Sequence, residues 1–171
     1  RLRPSGEAGP IATPFEGFAY YIRESAWTWE HMALTRARII ATSETFKVHL
    51  EKTIHSALTQ ERNMDRLVID VADMRQRVAN EHASTSPWEI KHRRGGLLDL
   101  EFLIQYLQLR YASSNAHVLS AGTHDALIRL VKVGYLDKLS ADELSSALKL
   151  WQRLQNMLRL TLADNANVES A

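Results

Sequence analysis

After Pro14 this chain of 171 residues contains a single further proline, Pro87, and over the same span its apolar side chains return every three or four positions. That spacing lines one face of a 3.6-residue helix and does not fit the strict alternation of a half-buried strand, so most of the chain is constrained to helices. Three of the four prolines and two of the seven glycines fall within the first fourteen residues, which concentrates irregular backbone at the start. With 45% hydrophobic and 24% charged residues the chain can bury a core. Six or seven amphipathic helices joined by short polar loops predict an all-α fold, a helical bundle. One feature stands apart: Arg1-Leu2-Arg3-Pro4 alternates like the end of a strand halted by proline. A strand end needs a sheet, so the chain is expected to be a fragment whose sheet partners lie upstream.

The formal charge of +1, from 21 basic and 20 acidic residues, argues against an overall design for nucleic acid and leaves any anion site local. The absence of cysteine removes disulfides and thiolate metal sites, and the seven histidines are scattered without ligand spacing. No apolar run reaches membrane-spanning length. A soluble, cytoplasmic protein without membrane or nucleic-acid partners is the expectation.

Along the chain, Thr13-Pro14-Phe15-Glu16 has the order of a capping box, and Phe15, Phe18, Ala19 and Ile22 supply the apolar face of a first helix. A second helix is predicted over 26–40. It is apolar on most sides and leaves Thr28, His31, Thr35 and Arg38 as a narrow polar stripe, so it should bury Trp27 or Trp29 against the bundle. Ser43 and Asn63 are candidate caps of a third and a fourth helix. Residues 83–96 form the longest internal loop signal. A fifth helix from near Gly96 carries Leu97, Leu100, Leu103, Ile104, Leu107 and Tyr111 on a wide apolar arc, with Gln105 and Gln108 on the polar side, and is predicted to be central. Thr123 caps a sixth helix that stops at Gly134, and Ser140-Ala141-Asp142-Glu143 opens a long last one lined by Leu144, Leu148, Trp151, Leu154 and Leu158. From about residue 164 the period is lost and the tail should fray.

Gly95-Gly96-Leu97-Leu98-Asp99-Leu100-Glu101 invites comparison with a nucleotide-binding turn followed by a metal-binding carboxylate pair. Such a pair works on a strand, where alternate residues share a side. The flanking period is helical, and residues two apart on a helix diverge by about 200°, so Asp99 and Glu101 cannot hold one ion together. No catalytic residue and no metal site is assigned. The basic run Lys91, His92, Arg93, Arg94 is either a solvated loop or a contact for an anion or partner, carried by Lys91, Arg93 and Arg94. Arg36 and Arg38, late in the second helix, are expected to need partners, either structural carboxylates or a nucleotide.

Arg1-Leu2-Arg3-Pro4-Ser5-Gly6, the run Ala26-Trp27-Thr28-Trp29-Glu30-His31-Met32-Ala33-Leu34-Thr35-Arg36-Ala37-Arg38, and Lys91 with the Gly-Gly motif through Phe102 together resemble bacterial glutamine synthetase adenylyltransferase. The wording of the second run resembles the C-terminal, AMP-attaching half of that two-part enzyme. The resemblance implies residues 1–42 as the C-terminal remnant of a polymerase-β-like nucleotidyltransferase domain, 43–163 as a helical bundle domain and 164–171 as a frayed tail. It implies that the intact enzyme uses ATP and Mg²⁺ to attach AMP to a tyrosine of glutamine synthetase, regulating nitrogen assimilation, with the PII signalling protein and glutamine as partner and effector. Arg1, Arg3, Ser5 and Gly6 would border the nucleotide, while the catalytic carboxylates would lie upstream and no cofactor would bind this fragment alone. Two alternatives are a non-catalytic helical regulatory module and part of a PII uridylyltransferase-like enzyme.

Overall fold

The computed structural model describes residues 9–10, 12–83 and 88–161. Among them are seven α-helices: α1 (Phe15–Glu24), α2 (Thr28–Leu34), α3 (Glu44–Thr59), α4 (Met64–Glu81), α5 (Leu97–Tyr111), α6 (Thr123–Lys132) and α7 (Lys138–Thr161), with a 3-10 turn at Ala116–Val118. No strand occurs among the described residues. The expected strand remnant and the nucleotide-proximal Arg1, Arg3, Ser5 and Gly6 lie outside them, as does the tail beyond residue 161.

Local chemistry accounts for most helix ends. Ser43 Oγ accepts the N–H of Phe46 at 3.4 Å, and Asn63 Oδ1 accepts that of Arg66 at 2.8 Å, so both predicted caps form. At the end of α6, Gly134 adopts φ +79°, Tyr135 donates to the carbonyl of Leu130 and Gly134 to that of Val131, the paired bonds of a Schellman motif. Three starts differ from expectation. Thr123 is the first residue of α6 and not its cap: the N-cap is Gly122, and no side chain caps the helix. The Thr13 capping box does not form: Pro14 has an extended ψ of 147°, α1 begins at Phe15, and no side chain caps it. The last helix opens before Ser140, because the Asp137 carboxylate accepts the Ser140 N–H at 2.8 Å. That bond also holds Asp137 below the usual carboxylate range.

The largest correction concerns the second helix. It spans Thr28–Leu34 rather than 26–40. Thr35, Arg36 and Ala37 donate to carbonyls three residues back, and the Thr35 hydroxyl donates to the Met32 carbonyl at 2.7 Å, so the helix tightens and ends. Arg36 and Arg38 are therefore exposed and not in a helix. The face is also reversed. His31 and Thr35, of the supposed outer stripe, are buried, whereas Trp27 is 68% and Trp29 40% exposed.

α5 is central, as its apolar arc predicts. One core joins Ile22, Met32, Leu34, Ala57, Leu58, Leu67 and Leu109, drawing on α1 through α5. A second joins Leu97, Leu100 and Ile104 of α5 to Ala126, Leu127 and Leu148 of α6 and α7. Gln105 and Gln108 are buried rather than outward, with Gln108 Oε1 accepting the Ser120 N–H at 2.7 Å, while Leu103 is 39% exposed.

Candidate functional site

The Gly95-Gly96 turn is built for backbone geometry. Gly95 has φ +75°, a conformation that side chains disfavour. A Cβ on Gly96 would stand 2.3 Å from the Ile90 carbonyl oxygen and 2.7 Å from that of Arg93. This close approach lets the loop carbonyls of Ile90 and Lys91 accept the N–H groups of Leu97 and Leu98 at the start of α5. Those donors, which an anion at a helix N-terminus would use, are already taken.

The two motif carboxylates point to different partners. Asp99 accepts the Gly95 N–H at 2.6 Å and pairs with Arg75 of α4. Glu101 pairs with Arg36 at 2.8 Å, tying the segment after α2 to α5. Among the described residues no three His, Asp or Glu side chains are grouped to hold a metal. These carboxylates do not fit a Mg²⁺–nucleotide site, because each is engaged on its own side of the helix.

Around Arg75 a polar wall forms. Its Nη2 donates to the His92 carbonyl at 2.9 Å, and its Nη1 is buried without a hydrogen-bond partner. His92 Nδ1 lies 3.0 Å from Glu89, and its ring stacks on that of His82 at 4.0 Å. Burial, with His82 and Lys91 adding to it, holds His92 below its ordinary value against the pull of Glu89. This wall closes one end of a groove of about 660 Å³ between α4 and α5, whose apolar part includes Val68, Val71, Phe102 and Leu103. Lys91, Arg93 and Arg94 are all exposed; Arg93 and Arg94 line the groove and Lys91 does not.

A second polar cluster fixes α2. Glu30 is buried, accepting the Tyr21 hydroxyl at 2.9 Å and the Trp27 N–H at 2.9 Å. His31 Nε2 lies 2.7 Å from the Ile22 carbonyl and Nδ1 lies 3.2 Å from Arg62. A neutral imidazole satisfies both contacts, donating from Nε2 and accepting at Nδ1. Burial holds His31 below its ordinary value, with Arg62 adding to the shift, and pushes Arg62 down to about 10. Thr28 donates to Asp70 of α4 at 2.5 Å.

Neither Arg75 nor the His31–Arg62 contact was expected from sequence. Arg75 could have been found, since it stands four residues after Val71 on the apolar stripe of α4 and a charge there needs a partner. The His31–Arg62 contact joins residues 31 apart, which no local pattern reports.

Residues 1–53 match the family model described as glutamate-ammonia ligase adenylyltransferase, and residues 69–167 match the model described as GlnD PII-uridylyltransferase. A bifunctional glutamine synthetase adenylyltransferase/adenylyl-removing enzyme of Bradyrhizobium sp. (strain ORS 278) is 41% identical over all 171 residues, and one of Rhodopseudomonas palustris (strain ATCC BAA-98 / CGA009) is 40% identical over the same span. That of Xanthobacter autotrophicus is 43% identical over 162 residues, 95% of the chain and 16% of its own length. The chain spans 17% of the length of the first two.

Proposed function

The chain belongs to the family of bacterial bifunctional glutamine synthetase adenylyltransferase/adenylyl-removing enzymes, and from that premise we propose that it is a non-catalytic helical arm of such an enzyme. The longer protein attaches AMP from ATP to a tyrosine of glutamine synthetase in the cytoplasm, with Mg²⁺, and answers to the PII protein and to glutamine. The segment lies in its AMP-attaching, C-terminal half. Residues 1–42 end the nucleotidyltransferase domain there, with Arg1, Arg3, Ser5 and Gly6 beside the nucleotide, and 43–163 form the bundle. The matching family model changes between residues 53 and 69, downstream of that boundary.

The observation that carries the non-catalytic assignment is the separate engagement of Asp99 and Glu101 by Arg75 and Arg36. Both act as ties between elements, so the metal-binding carboxylates belong to other parts of the longer protein. The loop residues Lys91, Arg93 and Arg94 face an anionic ligand or partner.

The match of residues 69–167 to the uridylyltransferase model favours one other reading, a PII-modifying enzyme. Identity to adenylyltransferases over the whole chain outweighs it. The full-length enzyme incubated with Mg²⁺, ATP or UTP, and either glutamine synthetase or PII decides between them. AMP on glutamine synthetase is the expected product, and UMP on PII would overturn the assignment. The 171-residue chain alone should transfer neither.

A further inference from the structure

We propose that the groove between α4 and α5 binds a small ligand carrying an anionic head, carboxylate or phosphate, on an apolar body. This sharpens the reading of the basic loop and does not depend on AMP transfer.

The groove is amphiphilic in an ordered way. On its apolar stretch Val68 is 46% and Leu103 39% exposed, from helices that face one another, with Val71 and Phe102 also in its walls. At the polar end Asp99 pairs with Arg75, while Glu89 hydrogen-bonds to His92, whose imidazole is held toward its neutral form, so Glu89 is the one carboxylate there without a cationic partner among the described residues. Arg93 and Arg94 line the same end and make no ion pair among the described residues. Two guanidinium groups that make no ion pair among the described residues thus border an apolar trough and outnumber the Glu89 carboxylate, and Arg75 brings a buried Nη1 without a partner to the same wall. A guanidinium recognises a carboxylate or phosphate through paired hydrogen bonds, and the trough offers burial to whatever the head is attached to. The volume of about 660 Å³ falls in the range of small-molecule sites, roughly 300–1,000 Å³. That size favours a small ligand over an extended macromolecular partner.

The test titrates the 171-residue chain, followed by backbone amide NMR, with phenyl phosphate, 3-phenylpropionate, benzyl alcohol and inorganic phosphate. The first two carry head and body, and the last two carry one part each. At least one of the first two should saturate, shifting amides of α4, α5 and the loop before Gly95, about tenfold more tightly than either part alone. Which of the two binds better identifies the head. Replacing Arg93 and Arg94 together by Ala should weaken binding about tenfold with the thermal melt unchanged, and Leu103→Glu should do the same from the apolar side. Both sites are solvent-facing, so the variants should stay folded. Failure of all four probes to saturate, shifts mapping elsewhere, or unchanged affinity in both variants would overturn the proposal. The assay does not read nucleotidyl transfer, so its failure leaves the enzyme's assignment standing. The loop reading fails separately if the Lys91, Arg93 and Arg94 triple Ala variant of the full-length enzyme keeps normal activity and regulation.

Discussion

Gly96 has no room for a side chain, since the carbonyl oxygens of Ile90 and Arg93 occupy the place a Cβ would take. Gly96→Ala must therefore push apart the loop that covers the start of α5, at a cost of about 1–3 kcal/mol in a denaturant melt. Gly17→Ala, inside α1 and only 3.4 Å from a Thr13 methyl, should be neutral or slightly stabilising by helix propensity. Equal effects at both glycines would contradict this account of the turn. His31 makes a second residue-scale prediction. Its folded pKa lies below the ordinary 6.5, with Arg62 and Glu30 as the charges that face it and the Ile22 carbonyl bonded to Nε2. Between that folded value and 6.5 the unfolded chain binds the proton more readily, so stability is full above about pH 6.5 and falls as pH drops through the window. His92 shifts in the same direction and adds to the slope. Urea melts between pH 8 and pH 5 should show part of the slope removed by His31→Gln; identical slopes would refute the assignment.

At the scale of elements, periodicity identified the helices and failed on which face of α2 turns inward. It counts Trp27 and Trp29 as apolar and Glu30, His31 and Thr35 as polar, yet the latter three are buried because Tyr21, Arg62 and nearby backbone carbonyls meet their polar atoms. Partners from other elements have no trace in a local pattern, and Gln108, which accepts the Ser120 N–H, was misjudged for the same reason. Caps were legible at Ser43 and Asn63, whereas Thr123 opens α6 one residue after its N-cap, Gly122. Nor were they legible where Asp137 stood one turn ahead of Ser140. The candidate site was half visible: the basic loop could be read, but the groove needs α4 and α5 side by side. The reversed face of α2 gives a direct comparison. Met32, 1% exposed, should cost about 2–5 kcal/mol on truncation to Ala, whereas Trp27→Ala should stay within about 1 kcal/mol. Paired chemical-denaturation curves check it, and a larger loss at Trp27 would restore the face predicted from sequence.

For the whole molecule, α5 is the common wall on which two cores meet, and Leu109 shares one of them with Ile22 and Met32 of the first two helices. The Arg36–Glu101 pair adds a tie across the same junction. With Arg36 46% exposed, its coupling in a double-mutant cycle should be small, about 0.2–1 kcal/mol, so packing rather than this pair holds the segments together. A coupling several times larger would reverse that ranking. Asp99 ties α4 and the Gly-Gly turn to α5 in the same structural sense. The most direct test of this division between tie and catalyst is the Mg²⁺ dependence of AMP transfer by the full-length enzyme carrying Asp99→Asn and Glu101→Gln. The account predicts a lowered melting temperature with an unchanged Mg²⁺ requirement and unchanged turnover per folded molecule. A variant that melts like its parent but loses transfer, or needs more Mg²⁺ to achieve it, would contradict it.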